Sequence, residues 1–215
     1  MGDAPLTPFP RESLVAPAED VAQRLLGAYV VSDLPPGRVV VRLTEVEAYA
    51  GEQDPGSHAY RGRTPRTEVM FGEAGHVYVY FSYGMHWCAN VVCGRVGTAS
   101  AVLLRAGEVV CGLEVARVRR AASRTDRDLA RGPARLCSAL GVTGVLDGAD
   151  LLSDGPLRLA VGAAVPSSLV AFGPRVGVGG AGAHTPWRFW VRGDPSVSAY
   201  RPHAPRRRRT GESGT

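Results

Sequence analysis

Hydrophobic and polar positions alternate along this chain in short runs, and the period of alternation changes several times. Pro17–Leu26 has helical spacing: Val21, Leu25 and Leu26 form one face, Pro17 suits a first helical turn, and Gly27 stands where a helix stops. Ala28–Ser32 and Arg38–Tyr49 read as two strands joined through Asp33-Leu34-Pro35-Pro36-Gly37. Residues 50–75 form a long polar stretch rich in Gly, Pro, Thr and Arg, and loops of that length in compact domains are often functional. His76–Phe81 and His86–Cys93 flank Ser82-Tyr83-Gly84-Met85 and predict a hairpin. Ser100–Arg105 predicts another strand, Leu113–Ala122 a helix, and Pro133–Leu140 a helix closed by Gly141. Short strands are expected at 157–161 and 187–192, with the glycine-rich Gly173–Gly182 between them. There is no internal repeat and no evident linker. The pattern predicts one α+β domain over residues 17–200, preceded by a flexible leader (1–16) and followed by a basic, disordered tail (201–215).

Composition adds one exclusion. All 25 formally basic groups are arginine, so the chain of 215 residues contains no lysine. Mechanisms that need an internal lysine amine are ruled out: Schiff-base catalysis, a pyridoxal-phosphate enzyme, a P-loop lysine. The net charge of +5 is uneven, with positive excess in residues 105–135 and in the tail, where Arg206–Arg209 cluster. Such a distribution permits a polyanionic partner without demanding one. Cys88, Cys93, Cys111 and Cys137 have no metal-binding spacing and read as small buried hydrophobes; no metal is expected. No signal sequence and no membrane span is visible, so a cytoplasmic protein is expected, nucleoid-associated if bacterial.

Three segments stand out as candidate chemistry. In Val39–Tyr49, strict strand alternation places Val39, Val41, Leu43, Glu45, Glu47 and Tyr49 on one face, so that two carboxylates leave a core towards an edge. Carboxylates at such a boundary suit general-base work, and equally a solvated strand end. In the hairpin, Tyr78 and Tyr80 share one face and Val77, Val79 and Phe81 the other, with Tyr83 and Met85 at the tip around Gly84. An apolar tip fits a wedge between stacked bases, a tip buried under another loop, or a protein contact. Asn90 and Arg105 interrupt apolar runs and need partners, structural or ligand. His58 lies in the long loop. Arg175-Val176-Gly177-Val178-Gly179-Gly180 is no dinucleotide fingerprint, but its glycines let backbone approach a ligand or another segment closely.

Taken in order, the motifs resemble the alkyladenine (3-methyladenine) DNA glycosylase family. They are Val46-Glu47-Ala48-Tyr49, His58, Met70-Phe71, Val77-Tyr78-Val79-Tyr80, Tyr83-Gly84-Met85, Cys88-Ala89-Asn90, Val102–Ala106, Gly132–Cys137, Arg175–Val178 and Trp187–Gly193. The resemblance runs from about Leu25 to Ser198, with Thr67 a departure in the loop. It implies a monofunctional glycosylase of base excision repair that hydrolyses the N-glycosidic bond of alkylated purines, with deaminated or etheno purines as further substrates. The alternative is a non-catalytic binder of distorted DNA. The implied fold is a single mixed domain around a curved antiparallel sheet, with a hairpin that enters DNA. The implied roles are Glu47 as the base that activates water, and Arg105 and the Val176 carbonyl as groups holding that water. Tyr49, His58 and Tyr80 would line the base pocket, Asn90 would discriminate against guanine, and Tyr83 with Met85 would fill the gap in the duplex. Double-stranded DNA containing damaged purines is the implied partner. No cofactor is expected, and the protein is expected to act as a monomer.

Overall fold

A computed structural model describes residues 6–82 and 84–203. Tyr83 and the Arg206–Arg209 cluster lie outside the described residues. Eight antiparallel strands form one curved sheet: β1 (Tyr29–Ser32), β2 (Val39–Tyr49), β3 (Val77–Ser82), β4 (His86–Val92), β5 (Ala101–Cys111), β6 (Leu157–Ala160), β7 (Val170–Gly173) and β8 (Arg188–Val191). The main path runs β3-β4-β5-β2-β1-β6. β5 occupies one edge of the long strand β2, while β1 and β8 share its other edge, β1 along residues 39–42 and β8 along 45–47. Among the described residues three helices complete the fold: α1 (Ala18–Leu25), α2 (Leu113–Arg119) and α3 (Pro133–Leu140). The mixed α+β architecture expected from the sequence is present.

The helices cover one face of the sheet because their apolar stripes match its apolar residues. α1 buries Ala18, Val21, Ala22 and Leu25, and carries Glu19 and Asp20 in its first turn and Arg24 in its last, each complementing the helix dipole. α3 starts with Pro133 and ends at Gly141 in the left-handed region (φ 73°), where Val142 N–H closes onto the Cys137 carbonyl at 2.8 Å. Leu136, Cys137, Ala139 and Leu140 of α3 join Val77, Val79, Ala89, Val91, Val102 and Leu104 of the sheet in one core. Cys88, Cys93 and Cys137 are buried as free thiols, and Cys111 is partly buried.

The strand that carries Glu45 and Glu47 departs from strict alternation. Its core residues are Val39, Val41 and Leu43, then Val46 and Ala48. The face therefore switches parity after Leu43, and Glu45, Glu47 and Tyr49 lie on the side away from the helices rather than beside Val39, Val41 and Leu43. The cause is a double irregularity in the β2–β5 ladder. Leu43 pairs with Gly107, Glu45 with Ala106 and Val46 with Leu104, so Thr44 on β2 and Arg105 on β5 have no opposite residue. A bulge of this kind shifts alternation by one residue and re-aims neighbouring side chains.

Residues 6–16 pack on the domain: Phe9 N–H bonds to the Leu159 carbonyl at 3.0 Å, Pro8 bridges Ala160, and Leu14 is fully buried within a 3-10 turn. At the other end, Gly177 N–H donates to the Arg201 carbonyl at 3.3 Å. Among the described residues no helix is long and apolar enough to cross a membrane.

Candidate active site

The uncovered face of the sheet gathers the chemistry. Glu45 and Glu47 are both fully buried there, and Arg105 is nearly so. Glu47 Oε1 accepts the Val176 N–H at 2.7 Å, and Oε2 accepts the Tyr49 hydroxyl at 2.9 Å. Arg105 Nη1 lies 3.3 Å from the same Oε2. Arg105 Nε–H donates to Glu45 Oε1 at 2.9 Å, which makes the guanidinium a bridge between the two carboxylates. Glu45 also accepts Arg188 Nε–H (2.7 Å), Ser198 N–H (2.6 Å) and the Ser198 hydroxyl (2.9 Å).

Two buried carboxylates and two buried guanidiniums thus form a group with no net charge. Low local dielectric makes such an arrangement stable only when its lone pairs and protons are matched, and here they are. Burial alone would raise the Glu45 pKa, but the charges of Arg105 and Arg188 outweigh it and hold that carboxyl below its ordinary value. Burial opposes the Arg105 charge, and Glu47 and Glu45 more than compensate, so its pKa is raised. The Tyr49 phenol is pushed well above its ordinary value by burial, then by Glu47 and Tyr80, and stays a proton donor to Glu47.

Beside this group lies a small aromatic cavity of about 50 Å³ lined by Tyr49, Gly56, Ser57, His58, Met70, Tyr78, Tyr80 and Asn90. Tyr78 and Tyr80 project together from β3, on the face opposite Val77 and Val79, and stack with ring centroids 5.6 Å apart. His58 stands edge-on to Tyr80 at 4.4 Å, and its Nδ1 is 3.3 Å from the Tyr78 hydroxyl. Although His58 keeps an exposed edge, loss of water against these rings, followed by the charge of Arg66, lowers its pKa to about 4. Asn90 is buried and donates Nδ2–H to the Tyr78 carbonyl at 3.0 Å, so its partner is at least partly structural. A wider groove of about 620 Å³ between Pro17, Glu52, Arg95 and Trp187 lacks both the buried carboxylates and the stacked tyrosines.

Glu47, Arg105, Val176 and Tyr49 therefore meet, and Tyr49, His58, Tyr80 and Asn90 line one cavity next to them. Val176 reaches Glu47 through its N–H. Met85 sits apart, 67% exposed at the hairpin tip, where its N–H closes onto the Ser82 carbonyl at 3.1 Å. Among the described residues, no three His, Cys, Asp or Glu side chains are grouped to hold a metal ion.

The model of the methylpurine-DNA glycosylase family matches residues 12–195. The chain belongs to this family. A protein of Streptomyces avermitilis named as a 3-methyladenine DNA glycosylase is 58% identical over 206 residues, covering 95% of this chain and 97% of that protein. A protein of the same name from Nocardia farcinica is 54% identical over 203 residues, covering 90% and 93% respectively. The enzyme is thus a hydrolase of N-glycosyl bonds in DNA that processes alkylated purines in DNA repair.

Several members of the site have a role that only the folded chain reveals. Glu45 was one of two equivalent carboxylates, and only the ladder irregularity gives it to Arg105 and Arg188. Arg188, in an apolar strand beside Trp187 and Trp190, carried the same signal as Arg105: a guanidinium among hydrophobes. Tyr78, Ser198 and the buried ion pair of Arg175 with Asp54 complete the set.

Proposed function

We propose that this enzyme flips a damaged purine out of double-stranded DNA and hydrolyses its N-glycosidic bond with water activated by Glu47. The observation that carries this reading is the Glu47 carboxylate, fully buried and fixed at both oxygens by Val176 N–H, Tyr49 and Arg105, with an aromatic cavity alongside. A carboxylate held this way can take a proton from water and stabilise positive charge developing on the sugar. Arg105 and the Val176 carbonyl hold the water in this reading. A base inside a duplex cannot reach such a carboxylate, so it must leave the stack, at a cost of roughly a few kcal/mol.

Tyr49, Tyr80 and His58 provide aromatic surfaces for the extruded base; stacking of this kind contributes about 1–3 kcal/mol per base. An alkylated purine that carries positive charge also gains from aromatic faces, and a neutral His58 does not repel it. The cavity of about 50 Å³ is far smaller than the ~300 Å³ of an ordinary ligand site, so admission of a base requires its lining to move apart. Asn90 borders the cavity and acts in discrimination against guanine. Tyr83, with Met85, fills the vacated stack. The substrate range extends to deaminated and etheno purines, and the protein acts as a monomer.

With no lysine in the chain, the water route leaves an intact abasic site rather than a nicked strand. The test is incubation with alkylated duplex DNA with and without borohydride. Free methylated purine and alkali-labile abasic sites are expected, with no trapped protein–DNA adduct; an adduct would contradict the water route, and absence of base release would contradict the role given to the Glu47 site.

A further inference from the structure

Among the described residues Arg175 is the largest fully buried side chain, and the reaction as described does not use it. Its guanidinium makes a fork on Asp54, Nη2 to Oδ1 at 2.7 Å and Nη1 to Oδ2, while Nη1 also donates to the Ala48 carbonyl at 2.9 Å. The cation lies between two rings, 4.6 Å from the centre of Tyr49 and 5.3 Å from that of Trp187. Asp54 is equally buried, accepts Gly56 N–H at 2.9 Å and Ala50 N–H at 3.3 Å, and so organises the start of the long loop that carries His58. Backbone approaches the fork closely: a Cβ on Gly56 would stand 2.7 Å from Arg175 Nη2, and one on Gly182 3.2 Å from it.

The sequence neighbours of these contacts are what give them meaning. Val176, next to Arg175, is the residue whose N–H holds Glu47 Oε1. Ala48, whose carbonyl Arg175 grips, lies between Glu47 and Tyr49 on β2. His58 follows Asp54 by four residues. One guanidinium therefore touches the three segments that hold the carboxylate, its tyrosine and the wall of the base cavity.

We propose that Arg175 and Asp54 are a positioning pair for base excision, setting the Val176 amide on Glu47 and the His58 loop at a fixed distance from both. The pair touches neither water nor base. It acts through Val176 and the loop, and the inference rests on Glu47 being the base. A planar fork meeting a carboxylate at two points fixes orientation as well as distance, which an ammonium cannot do. Displacement of a reacting group by about 1 Å costs on the order of 10²-fold in rate.

The experiment measures single-turnover release of 3-methyladenine and binding to a duplex with a tetrahydrofuran abasic analogue, both per folded molecule, for Asp54→Asn, Arg175→Lys, Arg175→Gln and Glu47→Gln. The expected result is a loss of release of about 10–100-fold in Asp54→Asn and Arg175→Gln, a smaller loss in Arg175→Lys, and a dissociation constant within about threefold of wild type. A purely structural role would lower the folded fraction and leave the rate per folded molecule unchanged. Wild-type rates in the pair variants, or rate and affinity falling in proportion, would overturn the proposal. Should Asp54→Asn fail to fold, Gly182→Ala, which presses on the fork with every charge retained, decides by the same two outcomes. Full activity in Glu47→Gln would instead overturn the reading of Glu47, so the two failures are distinguishable.

Discussion

The two faces of the central sheet are built by the same strands and do opposite things. On the helix-covered face, Val41, Leu43, Val46, Val102 and Leu104 meet α1 and α3 in an unbroken apolar core. On the other face, the intervening residues of those strands include Glu45, Glu47 and Arg105, buried as well but charged. The first face gains stability from area removed from water. The second depends on each charge finding a partner, and its value lies in orientation rather than in net stabilisation. What puts the carboxylates on the second face is the double irregularity: Thr44 and Arg105 have no opposite residue, and the alternation changes parity there.

That comparison can be broken most severely by putting an unpartnered charge on the covered face. Val46 is fully buried in the helix-covered core, and Val46→Glu places there a carboxylate with none of the partners that Glu45 and Glu47 have. The variant is expected to show no cooperative unfolding transition by circular dichroism in urea; a wild-type transition would show that the two faces tolerate charge alike.

Arg105→Ala should damage both faces' functions. It leaves Glu45 and Glu47 short of a counter-charge in a dry site, a loss of roughly 3–5 kcal/mol, and base release should fail with it. Denaturant unfolding and base release measured on the same preparation check this, and Arg105→Lys should recover more stability than activity because the bridge needs a fork.

Leu136→Ala sharpens the contrast from the covered side. Leu136 is fully buried on α3, and its truncation should cost about 2–5 kcal/mol while the rate of base release per folded molecule stays at the wild-type value. A specific loss of rate would show that packing and chemistry are not separable between the faces.

The smallest effect expected is the pH dependence from His58. Its proton is bound below about 4 in the folded protein and below its ordinary value of 6.5 in the unfolded chain. Between these values the unfolded state binds more protons, so stability falls as pH drops from 6.5 towards 4 and this contribution is flat below. Glu45 adds loss of stability at lower pH still, since its depressed pKa stabilises the fold only while it is ionised. His58→Gln should flatten urea midpoints between pH 6.5 and 4 without moving those at pH 8; unchanged curvature would remove His58 from the account.

Much of this was legible in the sequence where a local rule sufficed. The hairpin, the shared face of Tyr78 and Tyr80, and α1 and α3 with their Pro and Gly boundaries follow from periodicity and turn chemistry. The shared face of Glu45 and Val39–Leu43 was misread because alternation is a local rule and a bulge is set by pairing with another strand. β5 runs on to Cys111, past the expected end at Arg105, since Gly107 looks like a stop but lies where a Cβ would fall 2.4 Å from the Arg42 carbonyl. β7 is four residues long and carries no alternation. Arg175 and Asp54 are 121 residues apart in sequence, and nothing local in either segment announces the other.

The central claim is that the charged face acts through Glu47. Glu47→Gln keeps the shape of the side chain and its place beside Val176, Tyr49 and Arg105. Single-turnover release of 3-methyladenine per folded molecule should fall on the order of 10²–10⁴-fold, while binding to a duplex with an abasic analogue stays close to wild type; the thermal midpoint falls, because Arg105 and Arg188 are left with one counter-charge. Release at the wild-type rate by folded, DNA-bound Glu47→Gln would contradict the account.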